Sequence, residues 1–444
     1  MHSEIQLPAA ELKVALAGLA KVVPKNGIPA LGSVRCTREQ SGKITLRATD
    51  LESSLTYRAK ETQAGPVADF LVPFGPFFTS VRRAAAKERI GVSPQSKGSV
   101  LLRSFLGSIA LEELLSASPV EDWPQAVKIE GKPVTLDWVF KSALREALDC
   151  ASTTEVKLAL SGAFVDLQDP AAHYIVASDR QHLYAANSLK LELPRSIIIP
   201  NHRFILWPVF HEDGPWSVVI EPAHRPDEHA LLQIASAHWT LTVQPIEGAY
   251  PDWKAVLPSE DQAHTRIEIP RQTRMQMETF IPRLPGGDSK DDAPISLRVQ
   301  NGCLVIGSRP EPGGAWVMVP LPEAKVTGRP VEMSLKRVHL LKALRLGVEE
   351  IEIIAEEEPV VCRAPGKLLI IQPLVPEPER PPAASQAEEP PQPEPEPEAI
   401  QQSSGEEVQF VEERGEETGD DPFGSVPESD PSSESDQTEA AEAG

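Results

Sequence analysis

The sequence predicts an α+β body of three tandem domains, each with two helices and several short antiparallel strands, followed by an acidic tail that does not fold. Three observations carry this. A strand-then-helix pattern recurs three times, at spacings of 129 and 133 residues. A second such series lies between, offset from the first by 65, 63 and 64 residues. Charge is split: of the net charge of -22, residues 375–444 hold -19 and the first 374 residues only -3. A length of 444 residues itself suits roughly three domains of about 150 residues, and a fixed internal period is the mark of a repeat architecture.

The first series opens each repeat. Ile5-Gln6-Leu7 precedes PAAELKVALAGLAKVV, Val134-Thr135-Leu136 precedes DWVFKSALREAL, and Ile267-Glu268-Ile269 precedes PRQTRMQMETFI. In the first two, apolar residues recur at three and four positions, the stripe of an amphipathic helix. Pro8 and Pro270 suit a first helical turn, where the missing N–H has no intrahelical partner to lose. Asp137 suits an N-cap. The second series starts at Phe70-Leu71-Val72, Ile197-Ile198-Ile199 and Val331-Glu332-Met333, so each repeat has two similar halves. Between them, KITLRATDLESSLTYRA alternates, turns at Thr49-Asp50 and alternates again. HYIVASDRQHLYAANSL does the same around Asp179, and CLVIGSRPEPGGAWVMVPL does it once more. Turn residues between β-branched runs read as hairpins. Boundaries near 126 and 260 give domains 1–126, 127–260 and 261–374.

Residues 375–444 contain 12 prolines, two phenylalanines (Phe410, Phe423) and no Trp or Tyr. Such a segment cannot bury enough apolar surface to offset its ordering entropy, and its charges repel. It reads as a disordered acidic Pro/Glu-rich tail, either a solvated appendage or a docking segment around its two phenylalanines.

No stretch approaches the roughly 18 to 20 apolar residues of a membrane span, and the N-terminus lacks the basic and apolar regions of a secretory signal. Cys36, Cys150, Cys303 and Cys362 are far apart and form no CxxC, which argues against a disulfide framework or a cysteine zinc site. A cytoplasmic protein with reduced thiols is expected. There is no GxxxxGK[ST], no GxGxxG after a strand, no HExxH and no GxSxG. The densest metal-like cluster, His211, Glu212, Asp213, His224, Asp227, Glu228 and His229, lacks fixed helical spacing and reads as a solvated loop. Asp50 and Asp179 recur at equivalent turns, where side-chain capping explains them better than catalysis. No catalytic residue, metal site or cofactor is expected.

The six helix windows carry 17 Lys/Arg and 6 Asp/Glu, so the rest of the body is net acidic. Lys21, Lys25, Arg82, Arg83, Lys141, Arg145, Arg203, Arg274, Lys336 and Arg337 are in this set. A basic helical surface faces a polyanion. Without aromatic stacking residues or a recognition motif, contact with the duplex backbone is favoured over base reading.

The body resembles the bacterial DNA polymerase III beta subunit, the sliding clamp. The resemblance rests on IPALGSV at 28–34, ITLRATDLE at 44–52, LALSGAFVDL at 158–167, IVASDRQHL at 175–183, SIIIP at 196–200, EGAYPDWKAVLP at 247–258, VEMSLKRVHLLKAL at 331–344 and IIQPL at 370–374. They keep the family's order across 1–374. The resemblance implies three DNA-clamp domains per chain and a head-to-tail homodimeric ring of six. Such a ring encircles double-stranded DNA with no active site of its own and tethers the replicative polymerase. A clamp loader opens it, and loader and polymerase dock through short peptides. It implies DNA contact by Lys25 and Arg82, with Arg203 a neighbouring candidate, and the helical charge adds Arg83, Lys141, Lys336 and Arg337 to the expected DNA-facing set. It implies a partner-peptide pocket at Leu160, Ser178, Leu183, Pro251, Val256, Ile370, Pro373 and Leu374, and a dimer interface with Ile109 and Leu111 on one edge and Leu284 on the other. One departure stands out. Arg180-Gln181-His182 replaces the family's Gly-His-Arg, so the backbone at Arg180 cannot be assumed to match. A divergent paralogue serving as a peptide-binding scaffold, without encircling DNA, is the alternative. A metal hydrolase built on the 211–229 cluster is a distant third.

Overall fold

The computed structural model describes residues 4–374 apart from 26, 96–97, 108, 126–128, 155–157, 223–228, 259–261, 287–293 and 311–313. The expected tail and the expected boundaries at 126 and 260 lie outside the described residues.

The same element order occurs three times. It runs first through β1 (Ile5–Pro8), α1 (Ala9–Leu19), β2 (Ser33–Arg38), β3 (Ile44–Thr49), β4 (Ser53–Arg58), β5 (Ala68–Pro73), α2 (Phe74–Arg83), β6 (Arg89–Gln95), β7 (Ser99–Leu106) and β8 (Ile109–Ser116). It returns as β9 (Val134–Leu136), α3 (Trp138–Leu148), β10 (Gly162–Asp166), β11 (His173–Ser178), β12 (His182–Leu189), β13 (Ile197–Pro200), α4 (Pro208–Glu212), β14 (Trp216–Glu221), β15 (Leu231–Ala235) and β16 (Trp239–Val243). The third pass is β17 (Thr265–Glu268), α5 (Arg271–Phe280), β18 (Pro294–Gln300), β19 (Cys303–Ser308), β20 (Val317–Leu321), an added β21 (Lys325–Gly328), β22 (Val331–Lys336), α6 (Arg337–Arg345), β23 (Glu350–Ile353), β24 (Val360–Ala364) and β25 (Lys367–Ile371).

The helix starts follow the sequence with one shift. Asp137 caps α3 by accepting from the Phe140 N–H at 3.0 Å. Pro8 and Pro270 sit one position earlier than expected, at the N-caps of α1 and α5. The fourth helix is only Pro208–Glu212, because Pro208 occupies its first turn and cannot continue a helix from upstream.

All sheet pairs are antiparallel, and two sheets run through the repeat boundaries. One has the order β5-β2-β3-β4-β16-β15-β14-β9, and another β13-β10-β11-β12-β25-β24-β23-β17-β21. At both seams the fourth strand of one repeat pairs with the last strand of the next: Leu55 faces Leu241 and Tyr184 faces Leu369. The short sheets β1-β6-β7-β8 and β20-β19-β18-β22 stand outside these seams. The apolar faces of the helices and the inward residues of every sheet merge into one buried cluster. Gly18 packs closely at the edge of this cluster, where an added Cβ would lie 2.3 Å from Trp239 Cη2. That glycine lets α1 seat against a strand of the second repeat.

Candidate functional site

The basic helical residues divide by burial. Lys25, Arg82, Arg83, Arg145 and Arg203 are exposed. Arg203 lies beside Lys21, whose carbonyl its guanidinium bonds. Lys21 rests 5.5 Å over the Trp207 ring, and burial together with the Arg203 charge lowers its pKa. Two cations from different repeats thus meet at the first seam. Lys336 is half-buried.

Lys141 and Arg337 correct the expectation that they face a polyanion. Lys141 is buried; its ammonium donates to the carbonyls of His211 and, at 2.8 Å, of Gly214. Arg337 is buried and donates to the Leu284 carbonyl at 2.7 Å, the Pro285 carbonyl and Ser308 Oγ. Both ammonium and guanidinium are turned inward onto main-chain carbonyls. Arg274 is similar in kind, bonding the carbonyls of Gly347 and Val348 at the end of α6.

The second seam builds an apolar cleft on the sheet face away from the helices. Leu183 and Ile370 are opposite each other across β12 and β25, and both join a separate buried cluster with Val176, Ala185, Trp253 and Val361. Trp253 is fixed by its indole N–H donating to Asp166 Oδ2 at 3.1 Å. The cleft beside it has a volume of about 400 Å³ and a rim that includes Lys254, Arg363 and Lys367. Lys367 also spans the seam, 2.7 Å from Glu146 Oε1.

The other expected pocket residues do not converge there. Leu160 is buried in a short 3-10 turn outside that cluster. Ser178 serves the β11–β12 turn, donating to the His182 carbonyl at 2.8 Å. Val256 is exposed and lines a neighbouring cleft. Pro251 is exposed, Pro373 is buried, and Leu374 bridges to Ser334. Trp253, Tyr174, Leu368 and the three rim cations were missed. The YPDW stretch marked Trp253, and the alternation of β25 put Leu368 on the same face as Ile370.

Ile109 and Leu111 are exposed on β8, the last strand of its sheet. Leu284 is instead 8% exposed and packed in the core, so it corrects the expectation of an edge contact. In the third repeat, Trp316 and Val317 are exposed just before and at the start of β20.

The turn aspartates do cap. Asp50 Oδ1 accepts from the N–H groups of Glu52 and Ser53, and Asp179 Oδ1 from those of Gln181 and His182. Burial opposes ionisation of Asp179, but His182 contact and these donors hold its pKa below the carboxylate range. Leu51 and Arg180 both adopt φ of 79°, so Arg180 keeps a glycine-like conformation without being glycine. The 211–229 cluster is dispersed. His211 bonds the Ile205 carbonyl, Asp213 holds His238, and His229 pairs with Glu247; His224, Asp227 and Glu228 lie outside the described residues. Among the described residues, no helix is long and apolar enough to cross a membrane.

No family sequence model and no curated protein matches the chain. Solved structures do. A sliding clamp (DNA polymerase III subunit beta) from Bartonella birtlesii, bound to griselimycin, superposes with a TM-score of 0.72 at 20% identity, covering 84% of this chain and 100% of that one. The chain has the fold of the bacterial DNA polymerase III beta subunit. The C. crescentus beta sliding clamp gives 0.72 at 18% identity over 84% and 98% of the two chains. The Pseudomonas aeruginosa beta subunit gives 0.69 at 18% over 84% and 100%. The matched share is about the length of the body without its tail.

Proposed function

We propose that this protein is a DNA sliding clamp: two copies joined head to tail, three domains each, closing around duplex DNA and tethering a polymerase. The observation that carries the proposal is the seam rule. In the first and second repeats, the fourth strand (β4, β12) is covered by the last strand of the following repeat. The third repeat's fourth strand, β20, and the first repeat's last strand, β8, are left as sheet ends. A second copy supplies each with the partner that the rule requires, and the pairing closes after two copies.

The two observed registers suggest a third. Transferring Leu55–Leu241 and Tyr184–Leu369 through the β19–β20 and β7–β8 registers sets Val317 opposite Leu115, Met318 opposite Leu114, Val319 opposite Glu113 and Leu321 opposite Leu111. Apolar side chains of the two edges then face each other at Val317–Leu115, Met318–Leu114 and Leu321–Leu111, the kind of cross-strand pair that stabilises a sheet. This also gives both edges the cover that exposed strand ends need.

Mechanism follows from charge and topology. The exposed helical cations attract phosphate without reading bases, so the attraction has no preferred register and weakens with salt. Retention comes from enclosure, and a tethered polymerase stays at high effective concentration near its primer end. The cleft at Leu368, Ile370 and Trp253 accepts an apolar side chain of a partner peptide. In this reading the protein works in the bacterial cytoplasm, as a processivity factor without an active site.

The test is topological. Protein loaded by a clamp loader on nicked circular DNA stays bound in gel filtration at moderate salt and leaves when the circle is cut. Equal retention on cut and uncut DNA removes encirclement and leaves the peptide-binding scaffold.

A further inference from the structure

The β11–β12 turn and helix α6 bring two imidazoles and a carboxylate together at the second seam. His182 and His339 are 6% and 5% exposed. Their rings are 4.4 Å apart between centroids. Asp179, His182 and His339 each offer one ligand atom, all within 4.8 Å of one another. Nδ1 of His339 has no hydrogen-bond partner, although a buried polar atom of this kind is normally satisfied. Nδ1 of His182 is 2.8 Å from Asp179 Oδ1, but it too makes no aligned hydrogen bond. Asp179 Oδ1 serves the turn N–H groups, so Oδ2 is the oxygen left for a ligand. A cavity of about 640 Å³, lined by Ser152, Thr153, Gln181 and Lys342 among others, opens onto the three groups.

We propose that Asp179, His182 and His339 form a binding site for one borderline divalent cation, with Zn2+ as its best match. Two imidazoles and one carboxylate are the nitrogen and oxygen donors that Zn2+ takes, and the cavity leaves a fourth position for water. With metal–ligand bonds of about 2.0–2.2 Å, the three side chains need only close in on a shared point by small rotations. The cation ties the hairpin of the second repeat to α6 of the third, beside the main-chain pairing of β12 with β25. Lys342 opposes it. Its ammonium is 3.2 Å from His182 Nε2 and is held on the far side by Asp149. Removing that charge strengthens the site.

The full-length chain is stripped with a chelator and titrated with Zn2+ by calorimetry, and with Co2+ by visible absorption. The expected result is one equivalent per chain, a four-coordinate cobalt spectrum, and slower amide exchange in the β11–β12 turn and in α6 on adding Zn2+. His339→Gln and His182→Gln each weaken binding at least tenfold, Lys342→Met tightens it severalfold, and His229→Gln leaves it unchanged. Circular dichroism checks that each variant folds. If the histidine variants do not, Lys342→Met decides, since it leaves all three ligands in place: unchanged affinity there overturns the proposal. So does the absence of stoichiometric Zn2+, or full binding by folded His339→Gln.

Discussion

Replacing Leu111 by Asp tests the head-to-tail interface at its centre. Leu111 is 47% exposed on β8 and is placed opposite Leu321, next to Glu112 and Glu113. Burying the exposed half of a leucine is worth about 1 kcal/mol. Desolvating an aspartate in that position, without a partner cation, adds about 2 kcal/mol or more. The sum is about 3 kcal/mol per interface and about 6 kcal/mol for a ring with two, which is roughly four powers of ten in the dissociation constant. Sedimentation velocity at micromolar protein should therefore change from dimer for the unaltered chain to monomer for Leu111→Asp, with circular dichroism unaltered. Leu158→Asp, at an exposed leucine of the second repeat that lies on neither β8 nor β20, should remain dimeric. A dimeric Leu111→Asp would refute the transferred register.

Arg82→Ala with Arg83→Ala should flatten the salt dependence of DNA binding, by about one unit of slope per lost phosphate contact, at unchanged melting temperature. Arg337→Ala should do the reverse, costing about 3 kcal/mol in denaturant titrations by orphaning the Leu284 and Pro285 carbonyls. Gly18→Ala gains about 1 kcal/mol of helix propensity but meets Trp239 at 2.3 Å. A net loss of about 2 kcal/mol is expected, read by tryptophan-monitored unfolding; a gain would show that the ring simply swings aside. Arg180→Gly should be neutral or stabilise by up to about 1 kcal/mol, because φ of 79° suits glycine, whereas Arg180→Val should destabilise. Burial lowers the pKa of His202 to about 4, partly offset by Asp50. Its folded value lies below its unfolded one, so the unfolded chain binds more protons between about pH 6.5 and 4, and stability falls as pH drops through that window. His202→Gln should make the decline shallower.

The period of the chain was legible because each repeat must bury the same faces, so the same alternation returns at the same spacing. Asp137, Asp50 and Asp179 were legible for a local reason: capping and turn bonds are made within three residues of the side chain that makes them. Lys141, Arg337 and Leu284 show where this reasoning ends. A cation on a helix reads the same whether it faces solvent or a loop of carbonyls. Only the folded chain brings His211 and Gly214 to Lys141, 70 or more residues away, and Leu284 to Arg337. The pocket was half legible. Leu183 and Ile370 share a face by strand alternation, but Leu160 and Ser178 belong to a turn and a short helical segment, whose orientation carries no period. His182 and His339 are 157 residues apart, and no spacing pattern could have paired them. Arg180 is the converse: a residue type that argues against a conformation the turn nevertheless imposes.

The central claim is a closed ring. Electron micrographs of the full-length chain, with its solution mass measured on the same sample, test it most directly. A closed ring is expected to appear as a particle of two chains with a central hole wider than duplex DNA. A monomer, or a dimer without a hole, would contradict it.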